Sequence, residues 1–180
     1  MEEGQPSFTA IASAMLRAAH LLWDDPPKIF EDTFALPLSG CADEKELRER
    51  YDGVIGELAA QFGRDLAHAA VNSARSPVVM RSRYVEAELD RAMKRGIAQY
   101  VILGAGLDSF AYRRTDVANV LEVFEVDHPA TQAWKRSRLR ELNVAPPPNL
   151  VFVPVDFETL SLIDNLQNSG YRPAAPGFFS

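Results

Sequence analysis

Gln99-Tyr-Val-Ile-Leu-Gly-Ala-Gly-Leu-Asp-Ser109 and, after it, Val123-Phe-Glu-Val-Asp-His-Pro129 decide how this chain folds. A short apolar run ends in Gly104-x-Gly106. A second apolar run, about 20 residues on, ends in an acid, Asp127; at that spacing a parallel sheet presents a glycine turn and a ribose-holding carboxylate to one nucleotide. Residues 100–103 suit a strand buried on both faces, and residues 121–126 and 150–155 repeat the pattern. Residues 129–142 have a helical signature, with Ala130, Trp134 and Leu142 apolar and Lys135, Arg136, Arg138 and Arg140 expected in solvent. Residues 159–168 predict another short helix, stopped by Gly170. Strands alternating with helices mean βαβ units, so the fold class is α/β with a parallel sheet. Right-handed crossovers collect ligands at the carboxyl ends of the strands, and Gly104, Asp127 and Asp156 each fall just past such an end.

Upstream of residue 96 the chain reads as helices and loops. Ser7 or Thr9 can cap a helix with Ile11, Met15, Ala18, Ala19 and Leu22 on one stripe, ended by Asp24-Asp-Pro-Pro27. Residues 43–75 are charged and helix-prone, with Leu47, Tyr51, Val54, Ile55 and Leu58 at mixed three-and-four spacing. Ser76-Pro77 predicts a fresh helix start, with proline at the first helical position. That helix carries Val78, Arg81, Val85, Leu89 and Met93 along one side and stops at Gly96. The expected organisation is an N-terminal helical lid over 1–95 and a nucleotide-binding part over 96–180, together forming one structural unit.

Composition narrows the class. The chain has 180 residues, 47% hydrophobic and 24% charged, as an ordinary globular domain does. A net charge of −6 argues against a nucleic-acid binder driven by phosphate neutralisation. A single cysteine, Cys41, suits a reducing compartment. No apolar run reaches membrane-spanning length, and Met1-Glu-Glu3 lacks the basic region of a signal peptide. A cytoplasmic protein with no membrane partner is expected. His20 and His68 have no partners at ligand spacing, so no metal site is expected.

Glycine at 104 and 106 lets the backbone turn sharply and approach a ligand, although a simple strand-to-helix turn uses the same residues. Asp127 can accept two hydrogen bonds from a ribose diol, or cap the helix ahead of Pro129. Asp156, in Val153-Pro-Val-Asp-Phe157, stands where an acid can take an adenine amino proton while Phe157 packs the ring; it too can be a cap. A nicotinamide or flavin dinucleotide prefers a third glycine where this chain has Ser109, with Asp108 beside it. An aspartate there repels a pyrophosphate. It suits S-adenosylmethionine, which has no phosphate and carries a sulfonium and an ammonium, so an NAD-dependent oxidoreductase is disfavoured.

Taken together, Val101-Ile-Leu-Gly-Ala-Gly-Leu-Asp-Ser109 with Tyr112-Arg113, Phe124-Glu-Val-Asp-His-Pro129 and Val153-Pro-Val-Asp-Phe157 resemble the leucine carboxyl methyltransferase family, in particular its bacterial S-adenosylmethionine-dependent members. The resemblance extends to Trp23-Asp-Asp-Pro-Pro27 and Met80-Arg81, and so covers nearly the whole chain. It implies a Rossmann-like class I methyltransferase fold and O-methylation of a carboxyl or hydroxyl group on a small molecule or peptide terminus. It also implies site residues. Arg81 matches the arginine that pairs with the methionyl carboxylate. Gly104, with Ala105 and Gly106, forms the motif turn against which the methionine part lies. Asp127, followed by His128, matches the ribose-binding acid, and Asp156 with Phe157 the adenine-binding pair. The family's basic contact from the first helix has no clear counterpart, with Arg17 as a stand-in.

A carboxylate acceptor needs no general base, whereas a hydroxyl does, and neither His128 nor Tyr112 is assigned that role. Family members are longer, and Pro176-Gly-Phe-Phe-Ser180 reads as the opening of a fourth strand, leaving strands one to three plus a stub. With that strand cut short, the first strand is expected to be an exposed apolar edge open to self-association. A catalytically inactive relative that binds cofactor or a partner is the alternative.

Overall fold

The computed structural model describes residues 7–157 and 161–180. Its centre is a parallel sheet of β1 (Gln99–Leu103), β2 (Glu122–Asp127), β3 (Leu150–Pro154) and β4 (Phe178–Phe179), in the order β3-β2-β1-β4. Alternation divides the strand side chains between two cores, because successive residues point to opposite faces. Tyr100, Ile102 and Val123 pack with Ala14, Leu89 and Leu139 from helices on one face. Val101, Phe124, Val126 and Val153 pack with Leu166 and Tyr171 on the other.

The chain runs outward from β1 through β2 to β3, then returns to the other side of β1 for β4. That reversal puts a crevice at the carboxyl end of β1. Seven α-helices accompany the sheet among the described residues: α1 (Phe8–Trp23), α2 (Ala35–Leu38), α3 (Glu44–Phe62), α4 (Arg64–Met93), α5 (Phe110–Arg113), α6 (Pro129–Glu141) and α7 (Leu162–Asn168). The expected start of the last helix at Thr159 lies outside the described residues. Among the described residues no helix is long and apolar enough to cross a membrane.

Three expectations are corrected. The first concerns the strand edge. β1 has a neighbour on both sides: Tyr100 and Val101 pair with Phe178 and Phe179, and the Ser180 carbonyl accepts from Leu103 N at 3.0 Å. A T-shaped contact of Tyr100 with Phe178 at 5.6 Å shows why so short a strand docks, since paired rings add to the ladder. The edge strands are instead β3 and β4, and Phe179 of β4 is half-exposed.

The second concerns Ser76-Pro77. α4 runs unbroken through Pro77, and the chain breaks instead at Gly63, whose φ of +85° ends α3. Proline removes the bond that would reach the Ser73 carbonyl, but both residues are exposed, so water can take that acceptor. The residue still costs stability. Pro77→Ala is expected to stabilise the chain by about 2 kcal/mol, less than the full proline penalty because alanine also loosens the unfolded chain. Urea unfolding monitored by helical circular dichroism reads this directly, and an unchanged or lower midpoint would contradict it.

The third concerns Lys135, which is not in solvent but fully buried, 2.6 Å from the equally buried Glu125. Glu125 and Val123 share a face of β2, and α6 lies over that face, so the charge in the strand sets where a charge on the helix must sit. Elsewhere the local rules hold. Asp43 caps α3 by accepting from Glu46 N at 2.9 Å, and the Glu46 side chain reaches back to Ala42 N. Ser7 is the N-cap of α1, but its hydroxyl meets Thr9 rather than the helix amides. Of the predicted α1 stripe, Ala18 and Ala19 are buried while Leu22 is exposed.

Candidate functional site

At the carboxyl end of β1 lies a cavity of about 600 Å³, walled by the glycine turn, the end of β2, α1 and α4. The volume is in the range of small-molecule sites. Gly104 and Gly106 have φ of +63° and +53°, the left-handed region that side chains resist. They serve different ends. A Cβ on Gly104 would meet nothing within 4 Å, so its surface is left bare toward the cavity. A Cβ on Gly106 would stand 3.0 Å from that of Ala10, so the second glycine lets α1 lie against the turn.

The main chain of that turn is gripped at three successive residues. Gly106 N donates to Asp127 Oδ2 at 2.5 Å, Arg17 Nη2 donates to the Leu107 carbonyl at 2.8 Å, and Lys135 Nζ donates to the Asp108 carbonyl at 2.5 Å. Each partner comes from a different element. Asp127 also accepts from His128 N at 2.6 Å through its other oxygen. It is half-buried and lines the cavity. The helix cap here is His128, whose Nδ1 accepts from Ala130 N at 3.2 Å.

Arg81 lines the opposite wall, on α4, with no hydrogen bond or ion pair among the described residues. Arg17 lines the cavity too, but its Nε is held by the buried Asp32 at 2.8 Å. A chain of buried charges continues from there. Asp32 lies 3.5 Å from Arg113, and Arg113 meets Glu86 at 2.5 Å. Burial pushes the Glu86 carboxyl up from its usual range, against the pull of Arg113. Glu86 and Asp108 also face the cavity, so it presents carboxylates as well as two guanidiniums. A zwitterionic ligand carrying an additional cation suits such a wall.

Asp156 and Phe157 sit past the end of β3 and do not line this cavity. Val155 N donates to the Asp127 carbonyl at 2.9 Å, which places Asp156 one residue beyond the ribose candidate's own strand end. The Phe157 ring is 54% exposed, an open platform rather than a packed core residue. Ala105, between the two glycines, is buried and lines the cavity. Sequence reading set Asp108 beside the cofactor but passed over Glu86 on the same wall and Lys135 as a support. Glu125 inside an apolar strand was the one available signal, since a charge at a buried strand position must find a counter-charge.

A sequence model for the family described as Leucine carboxyl methyltransferase matches residues 10–180. Among curated proteins, the chain is 36% identical over 184 residues to a Bacillus subtilis (strain 168) protein provisionally named S-adenosyl-L-methionine-dependent methyltransferase YktD; the match covers 96% of this chain and 59% of that one. It is 32% identical over 185 residues to a similarly named protein of Mycolicibacterium paratuberculosis (strain ATCC BAA-968 / K-10), covering 96% and 54%. A Parafrankia sp. (strain EAN1pec) protein with the same provisional assignment is 31% identical over 170 residues, covering 93% and 50%. The chain thus spans between half and three-fifths of the length of these relatives.

Proposed function

Because the chain belongs to the leucine carboxyl methyltransferase family, we propose that its cavity holds S-adenosyl-L-methionine and serves methyl transfer to an oxygen acceptor, a carboxyl or hydroxyl group on a small molecule or peptide terminus. The observation that carries this reading is the convergence on one cavity of the bare Gly104 turn, the Asp127 carboxylate and the Arg81 guanidinium, which has no partner among the described residues. Arg81 would hold the amino-acid carboxylate, guanidinium against carboxylate in two parallel bonds. Asp127 would accept from the ribose hydroxyls, and Glu86 and Asp108 would face the cationic end. Asp156 and Phe157 would take the adenine past the end of β3. When bound, the cofactor supplies a methyl group activated by a positive sulfur. The chain's own contribution is to fix that group and keep water from it, since in-line displacement depends on placement. A carboxylate acceptor would need no general base, in keeping with His128 being committed to a cap.

Calorimetric titration with S-adenosylhomocysteine tests the reading. Saturable binding is expected, and Arg81→Gln should weaken it about tenfold, the scale of a lost hydrogen bond to a charged group. NAD in the same experiment should give no heat of binding. Failure of both S-adenosylmethionine and S-adenosylhomocysteine to bind at millimolar concentration would overturn it.

A further inference from the structure

Lys135 carries the best-defined unexplained chemistry in the molecule. It is wholly buried on α6, away from the cavity wall, and its ammonium has two oxygen partners. One is Glu125 Oε2 at 2.6 Å; the other is the main-chain oxygen of Asp108 at 2.5 Å. The second carboxylate oxygen, Glu125 Oε1, is buried with no hydrogen-bond partner among the described residues. The ammonium divides its hydrogens between Glu125 Oε2 and the loop carbonyl, so the buried lysine is committed to the loop as well as to its counter-charge. Burial raises the Glu125 carboxyl from its usual range despite the lysine, in keeping with that incomplete pairing.

We propose that Lys135 is a positioning residue for the cofactor loop: its ammonium, anchored on Glu125, holds the Asp108 carbonyl and thereby fixes the cavity wall made by residues 106–110. The cofactor part of this proposal rests on the reading above; the loop part does not. Of the three groups gripping the turn, Asp127 and Arg17 also line the cavity, so Lys135 is the one whose removal alters the loop without removing a lining side chain. Beyond the pair, the ammonium faces the Tyr112 ring at 5.7 Å, and among the described residues the Asp108 carbonyl is its one polar contact outside Glu125.

The test separates positioning from stability. Lys135→Met alone strands a buried carboxylate and is expected to unfold the chain. Glu125→Leu with Lys135→Met replaces the pair by apolar groups, an exchange that often leaves stability intact. In that double variant the melting temperature should equal or exceed that of the unaltered chain. Amide hydrogen exchange at residues 106–110 should nevertheless be about tenfold faster, and S-adenosylhomocysteine should bind about tenfold more weakly, the scale of one lost charge-assisted bond. Restored stability with loop exchange and affinity both within twofold of the unaltered chain would overturn the proposal. Glu125→Gln gives an independent arm when read below its own, lowered melting temperature, because its amide oxygen can still accept from the ammonium and leave it on the Asp108 carbonyl. Loop exchange should stay within twofold there, and a tenfold acceleration would assign the loop's order to the ion pair instead. If the unaltered chain binds no S-adenosylhomocysteine, the functional reading fails while the exchange measurements still decide the role of Lys135.

Discussion

Asp127→Ala is expected to weaken S-adenosylhomocysteine binding by at least about 100-fold. Two ribose hydroxyls donating to one carboxylate make two charge-assisted bonds, each contributing about 1.5–3 kcal/mol, or about 10²- to 10⁴-fold together. The same carboxylate holds Gly106 N, so its loss also frees the turn that forms the floor of the cavity. Asp127→Asn separates the two contributions: it retains an oxygen for Gly106 N but offers the ribose a neutral, single acceptor. Its affinity should fall between those of the unaltered chain and the alanine variant. Calorimetry on protein whose melting temperature has been checked measures both. Binding within threefold of the unaltered chain in the alanine variant would remove Asp127 from the ribose site.

Arg113→Met should cost about 3–5 kcal/mol of stability, the scale of stripping the partner from a buried charge. The guanidinium meets Glu86 at 2.5 Å, Asp32 at 3.5 Å and the Ser109 hydroxyl at 2.8 Å, and lies 4.5 Å over the Phe30 ring. Methionine keeps much of the packing and none of the charge. For a chain of this size the expected fall in melting temperature is about 10 °C. The loss depends on pH. Burial already raises Glu86 with the arginine present, and removing that cation raises it further. The folded variant then retains a proton that the unfolded chain releases above its ordinary carboxylate range. The contribution of Glu86 to the variant's stability is therefore full in acid and is lost as pH rises through the raised value, so the deficit against the unaltered chain widens with pH. Denaturant unfolding at a series of pH values checks this, and a deficit that is small or independent of pH would show that the charge is not needed there.

The parallel sheet and the carboxyl-end position of the glycine turn were legible because each follows from period and spacing. Two apolar runs separated by a helix-sized interval allow few topologies. The cavity's cationic wall was legible only in part. Arg81 could be named from the resemblance, but nothing in the local sequence distinguishes it from Arg83, two residues along the same helix. Arg17, named as a stand-in for the first-helix contact, lines the cavity, and it is also tied to Asp32 and the Leu107 carbonyl, pairings across 15 and 90 residues that no local pattern encodes. Lys135 was misread for a related reason. Three arginines nearby mark that helix as solvated, and only the strand beneath it, carrying Glu125, reverses the reading for one position. The error at Ser76-Pro77 is different in kind. Serine before proline is a sound start signal, yet a proline whose missing bond faces water can also be carried inside a long helix.

The 3.0 Å approach of Ala10 to Gly106 makes one small residue the gauge of the cavity's width. Ala10 lines the cavity but brings no polar group to it, so its volume can change while the charges stay where they are. Removing its methyl group would open a notch beside the turn, and enlarging it would push the first helix outward. Position 10 is thus a place to engineer a bump-and-hole pair, in which a trimmed chain accepts a cofactor analogue too bulky for the original.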